Sequence, residues 1–181
     1  MRSSLFILLF LIGFSCSTLV KRIGIIPPQP DDLVPYRWKF TVYSKTNKLF
    51  ERHHLILAEP LDLLGNPIPT EATGHVLLPD GKNVKMMTGG VRRVELILDS
   101  SDTKKLIITQ IVADRADINL SRYKVFGEPY ITTEAVTGEK VTNIIRNRNK
   151  DRYADGAKYK YFTNNCQTFA KALMGDVKKF L

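Results

Sequence analysis

Between positions 36 and 58 the chain alternates. Tyr36 to Tyr43 sets aromatic or β-branched residues against polar ones, and Arg52 to Ala58 resumes the pattern. The turn-forming run Ser44-Lys45-Thr46-Asn47 separates the two, which predicts a β-hairpin. Leu64 to Thr70, carrying Gly65-Asn66-Pro67 and Pro69, reads as a loop, and Gly74 to Leu78 as a short strand closed by the turn Pro79-Asp80-Gly81. Arg92 to Leu98 and Lys104 to Val112 are rich in Val, Ile and Leu and flank Asp99-Ser100-Ser101-Asp102, a second hairpin. The pattern thus predicts about five antiparallel strands.

The last third changes period. Val141, Ile144 and Ile145 fall at helical spacing, followed by Arg146, Arg148 and Lys150 where a helix dipole favours cations. Phe169, Ala170, Leu173 and Met174 repeat the spacing in a closing helix. Strands first and helices last predict an α+β domain, an antiparallel sheet against C-terminal helices.

The amino terminus follows another logic. Arg2, the apolar run Leu5 to Phe14 and the small residues Ser15-Cys16-Ser17 predict a secretory signal over 1–17. Lys21-Arg22 resembles the dibasic maturation site of kexin-type proteases of the fungal secretory pathway, so 18–22 reads as a propeptide. Residues 23–35 read as an extended leading segment, with four prolines between Ile26 and Pro35, and 36–181 as one domain.

Composition adds charge. The chain of 181 residues carries a formal +9, and removing 1–22 takes away Arg2, Lys21 and Arg22 and no acid, leaving +6. A basic surplus spread along the chain suits anionic surfaces, membrane lipid or cell wall, and no nucleic-acid motif accompanies it. Asn119-Leu120-Ser121 is an N-glycosylation sequon.

Cysteine usage is more pointed. Cys16 leaves with the signal, so Cys166 stands alone in an oxidising compartment where thiols are normally paired. Thr163-Asn164-Asn165 precedes the closing helix, and Asn is a favoured cap, which puts Cys166 in the first turn. There the helix dipole and unpaired N–H groups favour a thiolate and an acyl oxyanion. Its spacing to Phe169, Ala170 and Leu173 equally suits a core cysteine. A catalytic thiol needs a base, and the three histidines, His53, His54 and His75, all fall in predicted strands. His53 and His54 are adjacent and point to opposite faces.

Tyr161-Phe162-Thr163-Asn164-Asn165-Cys166-Gln167-Thr168-Phe169-Ala170 resembles the Asn-Cys-(Glu or Gln)-x-Phe motif of the lecithin:retinol acyltransferase family. Arg52-His53-His54-Leu55-Ile56-Leu57 is similar to its first histidine strand, and Gly74-His75-Val76 to the second histidine segment of fungal members. Histidine before cysteine is the order of the circularly permuted papain-like fold, shared with NlpC-type enzymes. The resemblance implies Cys166 as nucleophile, His54 as base with His53 as second choice, and His75 as the orienting residue. His54 is preferred because the family histidine is followed directly by an apolar strand, as Leu55-Ile56-Leu57 follows here. Thr168 stands where the motif often has His.

Two function classes follow. One is a secreted hydrolase or acyltransferase acting on an ester or amide through a thioester. The other is a secreted binding protein or effector on the same scaffold without chemistry. Three histidines and one cysteine show no zinc-type spacing and the glycines form no phosphate loop, so neither metal nor cofactor is expected.

Overall fold

The computed structural model describes residues 28–47, 51–77, 81, 83–98, 106–148, 157–160 and 163–181. The expected signal, the dibasic site, residues 23–27, the Asp99 to Asp102 turn and Tyr161-Phe162 lie outside them.

Two hairpins form the frame. β1 (Pro35–Asn47) and β2 (Glu51–Leu61) pair antiparallel from Arg37↔Leu61 to Asn47↔Glu51. Ser44 to Asn47, expected as the turn, stays in the ladder, because the register that sets Tyr43 against Leu55 carries the strand onward through β-branched Thr46. β5 (Val91–Leu98) and β6 (Leu106–Ala113) form the second hairpin. Between them β3 (Glu71–Leu77) pairs with β4 (Asn83–Thr88) as a separate two-stranded sheet. β4 was not expected, since Lys85-Met86-Met87 lacks the β-branched alternation that marks a strand.

The main sheet runs β6-β5-β2-β1-β7, where β7 is Lys124–Val125. The free side of β1 also takes β8 (Tyr130–Ile131) and β9 (Val136–Thr137). Two helices follow, α1 (Gly138–Arg148) and α2 (Cys166–Phe180), so the chain is α+β with a mostly antiparallel sheet.

Strand alternation divides the core. Trp38, Phe40, Ile56, Ala58, Val94 and Leu96 face the helices and bury against Val141, Ile145, Phe169, Leu173 and Val177. The opposite face sets Leu55, Leu57 and Val91 against Ile118, with Leu120 and Tyr123 from the segment after β6. Thus both faces of β2 are covered, which explains its continuous apolar run.

From Gln29 to Val34 the leading segment is turned rather than extended. Asp32 N–H donates to the Gln29 carbonyl and Val34 N–H to that of Asp31, folding it into turns. Its side chains tie it down: Gln29 Oε1 accepts Met87 N–H at 2.9 Å and Asp31 Oδ2 accepts Gly89 N–H at 2.8 Å. Asp32 pairs with Arg92, whose side chain is 3% exposed and lies over the Trp38 ring. Burial lowers the Arg92 pKa and the Asp32 charge opposes that. Gly138 starts α1 against this pair, where a Cβ would collide with both side chains.

Removing one partner leaves a buried charge uncompensated. Asp32→Ala is therefore expected to cost about 3 kcal/mol or more. Urea unfolding measures it, and a change within experimental error would show that the pair does not hold the segment.

Candidate functional site

The β2–β5 ladder runs from Ala58↔Arg92 to Leu55↔Glu95 and ends there among the described residues. Beyond that rung the strands part, and the first turn of α2 reaches the backbone of β2. The backbone N–H of His54, one residue past the end of that ladder, donates to the Cys166 sulfur. The sulfur is also hydrogen-bonded to the His53 side chain.

His53 is held from its other side. Its Nε2 lies 2.8 Å from Glu95 Oε2, which leaves Nδ1 for the sulfur. The contact follows from register, because His53 is two residues from Leu55, the direct partner of Glu95, and such diagonal neighbours share a face within reach of long side chains. The second carboxylate oxygen of Glu95 takes Arg93 Nη2 at 2.9 Å. Arg93, Glu95, His53 and Cys166 therefore form one chain of alternating charge. Tyr123 lies beside it, its ring edge-on to His53 at 6.5 Å, and Lys45 Nζ sits over that ring.

The electrostatics follow the geometry. His53 is pushed up from the ordinary 6.5 to about 9 by its hydrogen bond to Cys166 and then by that to Glu95, against the opposing effect of burial. Burial alone would raise the Cys166 thiol. The His53 hydrogen bond, the His54 N–H, the His53 charge and its own N–H together outweigh burial and bring it below the ordinary 9.0. Glu95 is likewise held below the usual carboxylate value, with His53 and Arg93 outweighing burial. Cys166 is thus lowered and His53 raised by the same contact, and the two titrate as a coupled pair.

Asn165 caps α2 as expected, and its side chain accepts from Gln167 N–H at 3.0 Å and Thr168 N–H at 2.9 Å. Those two donors are thereby spent on the cap. At the sulfur the donors are the N–H of Cys166 and of His54, a narrower set than the free first turn expected from the sequence. Thr168 closes the capping box by accepting the Asn165 N–H at 3.1 Å, a structural use for the position where the motif often has His.

The other expected residues lie elsewhere. His54, the first choice as base, shares the helix-facing side of β2 with Ile56 and is buried, its ring 4.7 Å from that of Phe126. Alternation alone would have brought His54 to the helix. It fails because the sulfur sits at the strand backbone past the end of the ladder, where the ring of His53 turns in from the other face. His75 lies on β3, exposed along its whole length, and the side chain beside His53 is that of Glu95. Glu95 went unnoticed in the sequence, although an acid inside Val91-Arg92-Arg93-Val94-Glu95-Leu96-Ile97-Leu98 was a signal of a paired group on a covered face. Asn119 is exposed, and its Oδ1 accepts from Ser121 N–H at 3.0 Å and Ser121 Oγ at 2.8 Å.

Linkage gives the two groups opposite senses. His53 binds its proton more tightly in the folded chain, so its stabilising contribution is complete below pH 6.5 and is lost as the pH rises through about 9. Cys166, lowered on folding, contributes above 9.0 and loses that contribution as the pH falls through its folded value. Iodoacetamide alkylation of Cys166 reads the pair directly. At pH 6.5, His53→Ala should slow it by about 100-fold, as the buried thiol loses its cation, while folded His54→Gln keeps the native rate within a few-fold. The reverse order would assign the base to His54.

Comparison with protein-family models, curated proteins and solved structures finds no match to this chain.

Proposed function

We propose that the chain is a secreted thiol enzyme, a hydrolase or acyltransferase that acts on an ester or amide through a thioester on Cys166. The observation that carries this reading is the imidazole of His53 set between the thiol and the carboxylate of Glu95. A structural cysteine needs no cation, and burial by itself would keep it a neutral thiol.

The steps follow from these groups. The Cys166 thiolate attacks the acyl carbon, and the tetrahedral oxyanion takes the donors that served the sulfur, the N–H of Cys166 at the start of α2 and that of His54 on β2. The His53 imidazolium then gives its proton to the departing alcohol or amine, and the carbon–oxygen or carbon–nitrogen bond breaks to leave the thioester. Neutral His53 next removes a proton from water or an acceptor alcohol or amine, which attacks the thioester and releases Cys166. Glu95 stabilises the imidazolium and fixes the ring throughout.

The finer fold reading belongs to the same proposal. A histidine strand preceding a cysteine helix, on an antiparallel sheet, supports a circularly permuted papain-like domain akin to the lecithin:retinol acyltransferase family. Secretion is supported by the 1–17 pattern and by the exposed sequon at Asn119. The basic surplus favours substrates presented on anionic surfaces.

Acid-quenched mass spectrometry with a p-nitrophenyl ester tests the reading. An acyl adduct should map to Cys166 and be absent from Cys166→Ser, and the alkaline limb of kcat/KM should lie at about 9, the value set by His53. Glu95→Gln should move that limb to lower pH. A folded chain that neither acylates nor alkylates at neutral pH would instead be a binding protein on this scaffold.

A further inference from the structure

β2 ends at Leu61 in a turn that holds its own shape. The Asp62 N–H donates to the Asn66 carbonyl at 2.9 Å, the Gly65 N–H to that of Asp62 at 3.1 Å, and the Ile68 N–H reaches back to the Pro60 carbonyl at 3.1 Å. The Asp62 carboxylate accepts the Leu64 N–H at 2.9 Å, the Asn66 N–H at 2.8 Å and the Asn66 side-chain amide at 3.2 Å. Gly65 supplies the left-handed step at φ 87°, and a Cβ there would meet nothing within 4 Å, so the tip stands clear of its neighbours. At that tip Leu63 and Leu64 are 86% and 87% exposed. Leu33 and Val34, also exposed, enter β1 at the end where β2 leaves, since Arg37 opposes Leu61. A lone exposed leucine is ordinary. A locked turn that holds two of them outward, with two more apolar side chains at the same end of the hairpin, is a patch of the kind that marks a contact site.

We propose that the Leu63-Leu64 turn is an interfacial membrane anchor, its two leucines entering the acyl boundary of a bilayer while Asp62 stays among the headgroups. A bilayer is the occupant that this backbone suits. Lipid tails offer no hydrogen bonds, so a loop enters them only with its own donors already used. The N–H groups of Asp62, Leu64, Gly65, Asn66 and Ile68 are all spent within the turn, and Pro67 has none. Shape agrees, because a convex knob needs either a yielding phase or a matching apolar hollow. The cavity between α1 and α2 offers a second copy no such hollow, being walled by Glu139, Lys140, Asn143, Asn147 and the Arg148–Asp176 pair.

Charge sets the depth and the kind of lipid. From Pro60 to Thr70 the chain holds no base and one acid, Asp62. The hydrogen bonds to its carboxylate, that from the Asn66 N–H foremost, hold it below the usual value and so ionised. Insertion therefore stops with the leucines, at about 5–10 Å. The contact is apolar and needs neither the basic surplus of the chain nor an anionic lipid, so salt does not screen it. Cys166 meets β2 at His54, roughly 23 Å along the strand from Leu61, which puts lipid and thiol at opposite ends of β2.

Fluorescence of the full chain carrying Leu64→Trp reads immersion at the turn itself, since the native Trp38 is buried. With neutral phosphatidylcholine vesicles its emission should shift to the blue and be quenched by lipid brominated on the acyl chains, and both effects should persist in about 0.5 M NaCl. Val125→Trp, an exposed position opposite Tyr43 toward the thiol end, should show neither. Adding Leu63→Lys to Leu64→Trp should abolish the shift and the quenching, because a charge at the tip opposes insertion, while Cys166 alkylation stays at the native rate and reports an intact fold. The proposal is overturned by a Leu64→Trp chain that neither shifts nor is quenched, by equal responses at the two positions, or by a response that survives Leu63→Lys. A response that requires anionic lipid and is lost in salt overturns it too, assigning the contact to the basic surface. So does a shift that follows chain concentration rather than lipid, which would give the turn to a second copy.

Discussion

The site depends on where two strands stop pairing. As long as β2 and β5 share a ladder, their backbone donors are spent on each other and a helix can only lie on the face of the sheet. Past Leu55↔Glu95 the ladder ends, the His54 N–H is given to sulfur, and a cysteine at the first turn of α2 meets the strand backbone. From there it meets a ring belonging to the opposite face. One absent rung thus brings together a thiol from the helical layer and an imidazole from the other layer, with burial on both sides strengthening the charges between them.

Everything else in the fold holds that opening in place. α2 is fixed by Phe169, Leu173 and Val177 in the core and by the Asn165 cap, so the position of Cys166 along β2 is set by packing rather than by the thiol itself. On the far face, Tyr123 packs its ring against His53, and Leu120 joins it over Leu55 and Leu57. Arg93 takes the second oxygen of Glu95 and prevents the carboxylate from rotating away from the ring. The leading segment acts further off, with Asp31 and Asp32 anchoring Gly89 and Arg92 at the base of β5.

The sequence made much of this legible. Alternation revealed both hairpins because the strands are long and their faces differ in partner, and the cap and apolar spacing revealed α2 with Cys166 at its start. The short strands β7 to β9 carry too few residues for any period, and they exist only because β1 offers a free side. That the ring beside the sulfur is that of His53 rather than His54 has a different reason. Alternation tells which face a side chain takes, and it correctly separated His53 from His54, but it is silent on where a ladder ends. Glu95 was hidden in the same way, since a carboxylate in a strand reads as a solvated position until the segment that covers its face is seen. His75 entered by resemblance and lies on an exposed hairpin.

The proposed chemistry rests on Cys166 and Glu95 together holding the proton on His53 up to about pH 9. Histidine side-chain NMR titration of the native chain and of Cys166→Ser, with His53 assigned by substitution, measures this most directly. His53 should stay protonated to about pH 9 in the native chain and titrate well below that once the sulfur is gone. A native His53 that titrates near the ordinary 6.5, unchanged by Cys166→Ser, would contradict the pairing on which the proposed chemistry stands.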